Sequence, residues 1–378
     1  MTANVAGYLL QVLASRWLGV AGFSEFASLL AVQLLCAVPA LALQNVVARE
    51  LVRGASVPAL RRLQWRCAVI VAVLALVLVP LVTLALDVNV LACAAALGAA
   101  PALVLLAGEQ GILQGSNRFR RLAVVLGAAG VARVAPALVV LVLGGGTSAA
   151  LFAAALGLAA AAVFARFVAG APRVRAALAE HTVGVLPVIR AAQVQAALMA
   201  LSSADLIVVR MVLGDTDDAS RYALGTVAAK IAFWLPQAVG VVLYPRMAQP
   251  AHSARAIRDA LAVLSGIGIV AVLGAALAAP LAPLFAGSDY APIQGLLWLF
   301  ALHGAILAVL QGAVLSAIAL DRTALAALAW AGLAVEVTLT LLFAHSVPAL
   351  ITICVCVAAT TTAVVAATVL RTADTPSD

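Results

Sequence analysis

Charge is scarce in this chain, and lysine scarcest of all. Only 10% of the 378 residues are charged, and one lysine, Lys230, stands against 21 arginines. Soluble domains carry about 25% charged and about 45–50% apolar residues. This chain is 66% hydrophobic, with a mean hydropathy of +1.18, which excludes a soluble domain of any size. Aromatics make up only 5%. The five cysteines (Cys36, Cys67, Cys93, Cys354, Cys356) all fall inside apolar runs. Their spacing matches neither a metal site nor a disulfide framework, and they read as small buried hydrophobes. Nucleotide and zinc-hydrolase motifs are missing: Ile231 follows the one lysine, so GxxxxGK[ST] cannot form, and no HExxH occurs. The acidic run Asp215–Asp218 contains a DxD pattern but lies in a short loop, where it reads as a surface turn. No metal, cofactor or enzymatic activity is expected. No basic segment precedes the first apolar stretch, so no secretory signal is recognisable.

What the chain has is apolar runs long enough to cross a bilayer. Twelve candidate spans follow one another: Ala3–Gly19, Phe23–Asn45, Cys67–Leu86, Val90–Leu113, Leu122–Val142, Ser148–Gly170, Arg190–Val212, Tyr222–Tyr244, Ala260–Ala286, Gly295–Ala317, Thr323–Ala344 and Pro348–Leu370. The expected fold is an all-α integral membrane protein of about twelve transmembrane helices. The first run is short and lacks a flank, so the start of helix 1 is expected to be missing. Arginines cluster in alternate loops, and 17 of the 22 basic residues fall on the side shared by the two termini. The positive-inside rule then places both termini in the cytoplasm. It also accounts for the net charge of +7, so no nucleic-acid partner is needed.

The longest hydrophilic connection, around residues 170–184, divides the spans six and six. It suggests an N-terminal lobe over 1–172, a linker over 173–183, and a C-terminal lobe over 184–378 with a short tail. The halves carry a weak internal repeat. Pro39 precedes Arg49 by ten residues, as Pro236 precedes Arg246, and "GILQGSNRFRRLAVV" aligns with "GAVLSAIALDRTALAA". Six spans is an even number, so both halves share one orientation. Parallel repeats of this kind are a transporter architecture, here two pseudo-symmetric bundles around a central cavity.

"NVAGYLLQVLASRWLGVAGFSEFASLL", "VPALALQNVVAREL", "GILQGSNRFRRLA" and "SSADLIVVRMVLG…YALGTVAAKIAFWLPQAVGVVLYPRMA" together resemble the bacterial polysaccharide transporters. These are oligosaccharide flippases of the multidrug/oligosaccharidyl-lipid/polysaccharide exporter superfamily. The resemblance runs from about Asn4 to Leu370 as a distributed pattern. It implies two six-helix bundles that move polyprenyl-diphosphate-linked oligosaccharide from the cytoplasmic to the outer leaflet of the bacterial inner membrane. It further implies membrane lipid and glycan assembly enzymes as partners. In that family the "NVAGY" stretch falls partway along helix 1, and some relatives have fourteen helices where this chain has room for twelve.

An ionisable residue inside a span costs about 2.5–3.5 kcal/mol at the helix centre and is a functional candidate by default. Counted from the outer ends of their spans, Asp205, Lys230, His303 and Glu336 share a depth of roughly 10–12 Å, a polar layer facing a cavity. Lys230 could bind an anionic group there, pair with Asp205, or snorkel. Arg133 is the counterpart in the first half, and its structural alternative is capping carbonyls freed near Pro136. Arg133 and Lys230 are the candidates for a diphosphate. Asp205, Glu336 and His303 are the candidates for ion coupling or a polar cavity wall. Gln11, Gln33 and Gln311 could contact sugar, although most intramembrane amides serve as interhelical glue. Glu109, near the inner end of helix 4, is expected to pair with an arginine. The leading expectation is a flippase working by alternating access. Its alternatives are a proton- or sodium-coupled multidrug antiporter and a non-transporting subunit of a glycan assembly complex.

Overall fold

The computed structural model describes residues 37–170, 184–212, 216–236, 242–245, 253–281, 293–320 and 325–374, and scattered positions between 14 and 33. All regular structure among them is helical. The chain divides into two compact units, Met1–Ala192 and Gln193–Asp378. The expected linker over 173–183 lies outside the described residues.

The first unit contains α1 (Ala37–Val52), α2 (Val57–Leu86), α3 (Val90–Gly115), α4 (Phe119–Val142) and α5 (Thr147–Ala169). Ser56 caps α2 by accepting from the Ala59 amide, and Asn89 caps α3 by accepting from the Leu91 amide at 2.8 Å. Helix α2 starts ten residues before the expected Cys67. Arg61, Arg62 and Arg66 are good helix formers, and they extend the rod beyond its apolar stretch.

Helix α3 is central and packs on α1, α2, α4 and α5. Glycines let it approach α1: a Cβ on Gly111 would stand 2.5 Å from the Gln44 carbonyl oxygen, and one on Gly115 2.7 Å from that of Ala48. Gln44 and Gln114 lock the same seam through a buried amide pair at 3.0 Å. Helix α2 is peripheral, with Leu76 and Leu84 turned outward.

The second unit contains α6 (Leu186–Leu201), which crosses the unit boundary, then α7 (Ala204–Val212), α8 (Thr216–Trp234), α9 (Ser253–Ala278), α10 (Leu297–Ala319), α11 (Ala326–Phe343) and α12 (Val347–Asp374). Its neighbour pattern repeats that of the first. Helix α10 packs on α8, α9 and α12 as α3 packs on α1, α2 and α5, and α11 packs on α12 as α4 packs on α5. The sequence repeat therefore has a packing counterpart. The two stretches it aligns, Gly111–Val125 and Gly312–Ala327, begin in the two central helices.

Two spans end or break where continuous helix is expected. The seventh, read as one helix over Arg190–Val212, is broken at Ser202–Ser203. There the Ser203 amide bonds the Ala200 carbonyl three residues back, and the Ser202 hydroxyl donates to the Met199 carbonyl at 2.9 Å. Serine offers the backbone this local alternative to the helical ladder. The eighth, read through to Tyr244, ends as α8 at Trp234, followed by a turn at Leu235–Pro236. Proline supplies no amide and disfavours helix in the residue before it. Seven helices among the described residues are long and apolar enough to cross a membrane, and the chain is a multi-pass membrane protein.

Candidate functional site

The break in the seventh span sets up the site, because it leaves Asp205 in the first turn of α7. Carboxylates are favoured at that end of a helix, where free amides leave partial positive charge. Helix α7 packs on α8, α11 and α12, and each contributes a side chain to Asp205's surroundings. Tyr222 from α8 is fully buried and donates its hydroxyl to Asp205 Oδ2 at 2.8 Å. Cys354 from α12 lies with Sγ 3.9 Å from the same hydroxyl oxygen. Glu336 from α11 and His303 from α10 both lie within electrostatic reach of the Asp205 carboxyl.

The seam between α8 and α10 explains how Tyr222 and His303 come together. On α8, Tyr222, Gly225, Thr226 and Ala229 form one buried stripe at helical spacing. The Phe300 ring of α10 fills the space over Gly225, and Gly304 sits against the Ala229 carbonyl oxygen so closely that a Cβ there would overlap it. Each helix thus uses a glycine to admit the other. Phe300 meets the Tyr222 ring edge-on, with centroids 5.0 Å apart and planes at 68°. His303 lies next to Gly304 and three residues from Phe300, so the same contact carries it inward.

Three polar atoms in this cluster are left over. Both carboxyl oxygens of Glu336 and Nε2 of His303 are buried without a hydrogen-bond partner. The Cys354 thiol lies beside the Glu336 carboxyl. A buried polar group without partners costs free energy, and an ionised carboxylate costs far more. Two carboxyls and an imidazole thus lie by the apolar cluster that holds Phe300, Val347, Leu350 and Ile351, where charge is costly. Among the described residues no group of three or more His, Cys, Asp and Glu is arranged to hold a metal ion.

Asp205, His303 and Glu336 thus come together, and Lys230 does not join them. Lys230 is exposed on α8 beside Val227, Ile231 and Trp234, and makes no ion pair among the described residues. Asp205 is 3% exposed, on the buried side. This corrects the pairing of Lys230 with Asp205. A helix turns about 100° per residue, so equal depth along two spans does not bring two side chains together.

In the first unit, Arg133 is half-buried on α4 and donates from Nη2 to Gln33 Oε1 at 2.9 Å. Gln33 in turn donates to the Ala96 carbonyl of α3 at 3.4 Å. A hydrogen bond to the Gln33 side-chain oxygen holds Arg133. Gln311 is half-buried in α10 with contacts of its own, and Gln11 lies outside the described residues. Glu109 is buried and bidentate with Arg61 at 2.9 and 3.0 Å, with Arg166 at 3.7 Å. Arg61 also donates to the Gly170 carbonyl and Arg118 to that of Ala169, which closes the end of α5.

Sequence reasoning missed Tyr222 and Cys354. A tyrosine inside an apolar span was the available signal for the first. Cys354 carried no signal, since most described cysteines are merely buried.

No protein-family model matches the chain, and no curated protein sequence does. Solved structures do match. The Vibrio cholerae MATE transporter VcmN in its bent form superposes with a TM-score of 0.72 at 15% identity, covering 99% of this chain and 95% of that one. The fold is shared with MATE transporters. A eukaryotic MATE transporter, AtDTX14, gives 0.71 at 13% identity over 98% and 96% of the two chains. A transporter of the MOP superfamily (the exporter superfamily named above) from Pyrococcus furiosus, described as having a binding pocket of reverse polarity, gives 0.70 at 14% over 98% and 93%. The architecture is therefore the twelve-helix, two-lobe fold of that superfamily.

Proposed function

We propose that this chain is a cation-coupled secondary transporter of the MATE type, exporting amphipathic organic cations by alternating access in exchange for protons or sodium. The observation that carries this reading is the Glu336 carboxyl, whose two oxygens are buried without a hydrogen-bond partner within electrostatic reach of Asp205 and beside the Cys354 thiol. A carboxyl so placed is stable only with a proton or a cation, and it gives that cation up when the bundle opens to water. The broken helix at Ser202–Ser203 supports the same reading, since secondary transporters build ion and substrate sites at discontinuous helices. The MATE fold of the neighbours supports it further.

A second reading keeps a specific observation in its favour. Arg133 lies within α4, which is long and apolar enough to cross a membrane, and Lys230 lies on α8; their positive charge suits a diphosphate better than a cationic drug. The Pyrococcus neighbour shows the same fold described with a pocket of reverse polarity. On this reading the chain flips polyprenyl-diphosphate-linked oligosaccharide in the bacterial inner membrane, with both termini cytoplasmic and glycan assembly enzymes as partners. Arg133 and Lys230 hold the diphosphate, Gln33 and Gln311 contact sugar, and the acid cluster remains the coupling site.

One reconstitution separates the two. Proteoliposomes under an imposed proton or sodium gradient are supplied with ethidium or with a fluorescent polyprenyl-diphosphate sugar. Gradient-driven ethidium transport that is lost in Glu336→Gln is the expected result. Sugar-lipid flipping without ethidium transport, lost in Arg133→Gln, replaces the first reading with the second. Transport that keeps its ion dependence in Glu336→Gln overturns the coupling role of the cluster.

A further inference from the structure

A groove of about 260 Å³ lies between α9 and α10, on a different flank of α10 from the acid cluster. Ser265, Ile269 and Leu273 line it from α9, and Leu302, Ile306 and Val309 from α10. Its floor is narrow because Gly268 lies against Ala305, where a Cβ would stand 2.9 Å from the Ala305 Cβ. Ser265 gives the one polar side chain among the described lining residues. The α9 wall is open to the outside, with Ile269 62% and Leu273 58% exposed. His303 is about 100° around α10 from Leu302, so the groove and the cluster do not share a face.

A helix with this exposed apolar wall is bathed in hydrocarbon, and what fills an apolar groove there is a hydrocarbon chain. Charge says which lipid. Arg255 and Arg258 are both exposed in the first turns of α9. Arg258, Ser265, Ile269 and Val272 recur at helical spacing along one stripe, so the arginine stands directly in line with the groove. Asp259 is exposed as well; it lies about 100° further around the helix from Arg258 but one turn on from Arg255, so it offsets Arg255 and leaves Arg258 as the charge in line with the groove. From Arg258, the groove residues Ser265 to Leu273 run roughly 10 to 22 Å along the axis at about 1.5 Å per residue. The hydrocarbon half-thickness is about 15 Å, so the groove lies where an acyl chain of the arginine-side leaflet lies when its headgroup is at Arg258. Basic residues at the membrane surface attract anionic headgroups, and basic pockets between spanning helices hold them.

We infer that the α9–α10 groove is a binding site for an anionic phospholipid, with one acyl chain in the groove and the phosphate at Arg255 and Arg258. This site is independent of the transport reading and serves the protein's lateral contact with its membrane.

The test is native mass spectrometry of the purified full-length protein titrated with phosphatidylglycerol or phosphatidylcholine. One net positive charge at the surface predicts that the first phosphatidylglycerol binds about fivefold more tightly than phosphatidylcholine. Arg255→Gln/Arg258→Gln should bring phosphatidylglycerol down to the phosphatidylcholine level. Ser265→Phe, at an exposed position that the fold tolerates, should weaken both lipids alike by filling the groove. Equal wild-type affinities, or a preference that survives the arginine variant, overturns the inference. So does a Ser265→Phe variant that binds both lipids normally. A polyprenyl phosphate that outcompetes phosphatidylglycerol here would reassign the groove to a substrate tail.

Discussion

Replacing Tyr222 with phenylalanine removes one oxygen from the middle of the second unit and leaves the ring in place. The edge-on contact with Phe300 at 5.0 Å survives, while the 2.8 Å hydrogen bond to Asp205 Oδ2 is lost. The 3.9 Å contact between that oxygen and Cys354 Sγ is lost with it. A neutral hydrogen bond contributes about 0.5–1.5 kcal/mol net, and one to a charged group about 1.5–3 kcal/mol. Asp205 keeps other contacts, so the loss should stay within these ranges. The size of the loss therefore reports the charge on Asp205: about 1 kcal/mol for a protonated carboxyl and about 2 kcal/mol for a carboxylate. Unfolding of the purified protein in mixed micelles, followed by loss of helix, measures the difference. The cycle with Asp205→Asn isolates the pair, with an expected coupling of at least about 0.5 kcal/mol. A Tyr222→Phe variant within about 0.3 kcal/mol of wild type and additive with Asp205→Asn would refute the hydrogen bond as an organising contact of the cluster.

Gly304→Leu should destabilise the second unit by about 1–3 kcal/mol or more, because even a Cβ there overlaps the Ala229 carbonyl. Gly98→Leu, with nothing within 4 Å, is the silent control in the same thermal melt. Glu109→Ala should cost about 1–3 kcal/mol in the unfolding assay, since it strips a bidentate partner from Arg61, which is 18% exposed. Arg166→Ala should cost below about 1 kcal/mol, since Arg166 is 55% exposed and 3.7 Å from Glu109. Equal losses in these two variants would contradict the assignment of Arg61 as the main partner.

Where span limits matched, as for α3, α4 and α5, the reason is that short turns rich in Asn, Ser and Gly interrupt otherwise continuous apolar sequence. Asn89 and the glycines at 144–146 are such signals. Where they failed, the cause was a local competitor that hydropathy does not register. The hydroxyl of Ser202 breaks one span and Pro236 ends another, yet both sit in apolar surroundings. Glu109 was correctly read as an arginine partner, because a carboxyl at the edge of a basic segment has few other options. Of the three readings open for Lys230, the pairing with Asp205 falls away, because depth along a helix is legible in sequence, whereas the direction in which a residue points depends on the neighbour that the helix packs against.

The sequence by itself determined that the chain lives in a membrane, that its helices come in two comparable sets, and which few ionisable residues interrupt its apolar runs. Those are one-dimensional properties, set by composition, period and the cost of burying charge. Only the tertiary structure decided which of those residues meet. Gly225 and Gly304 let α8 and α10 close on each other, and the break before Ala204 puts Asp205 at a helix start among four packed helices. That packing joins Asp205, His303, Glu336, Tyr222 and Cys354 and leaves Lys230 outside, because side-chain contact is a property of paired helix faces and no single span contains it.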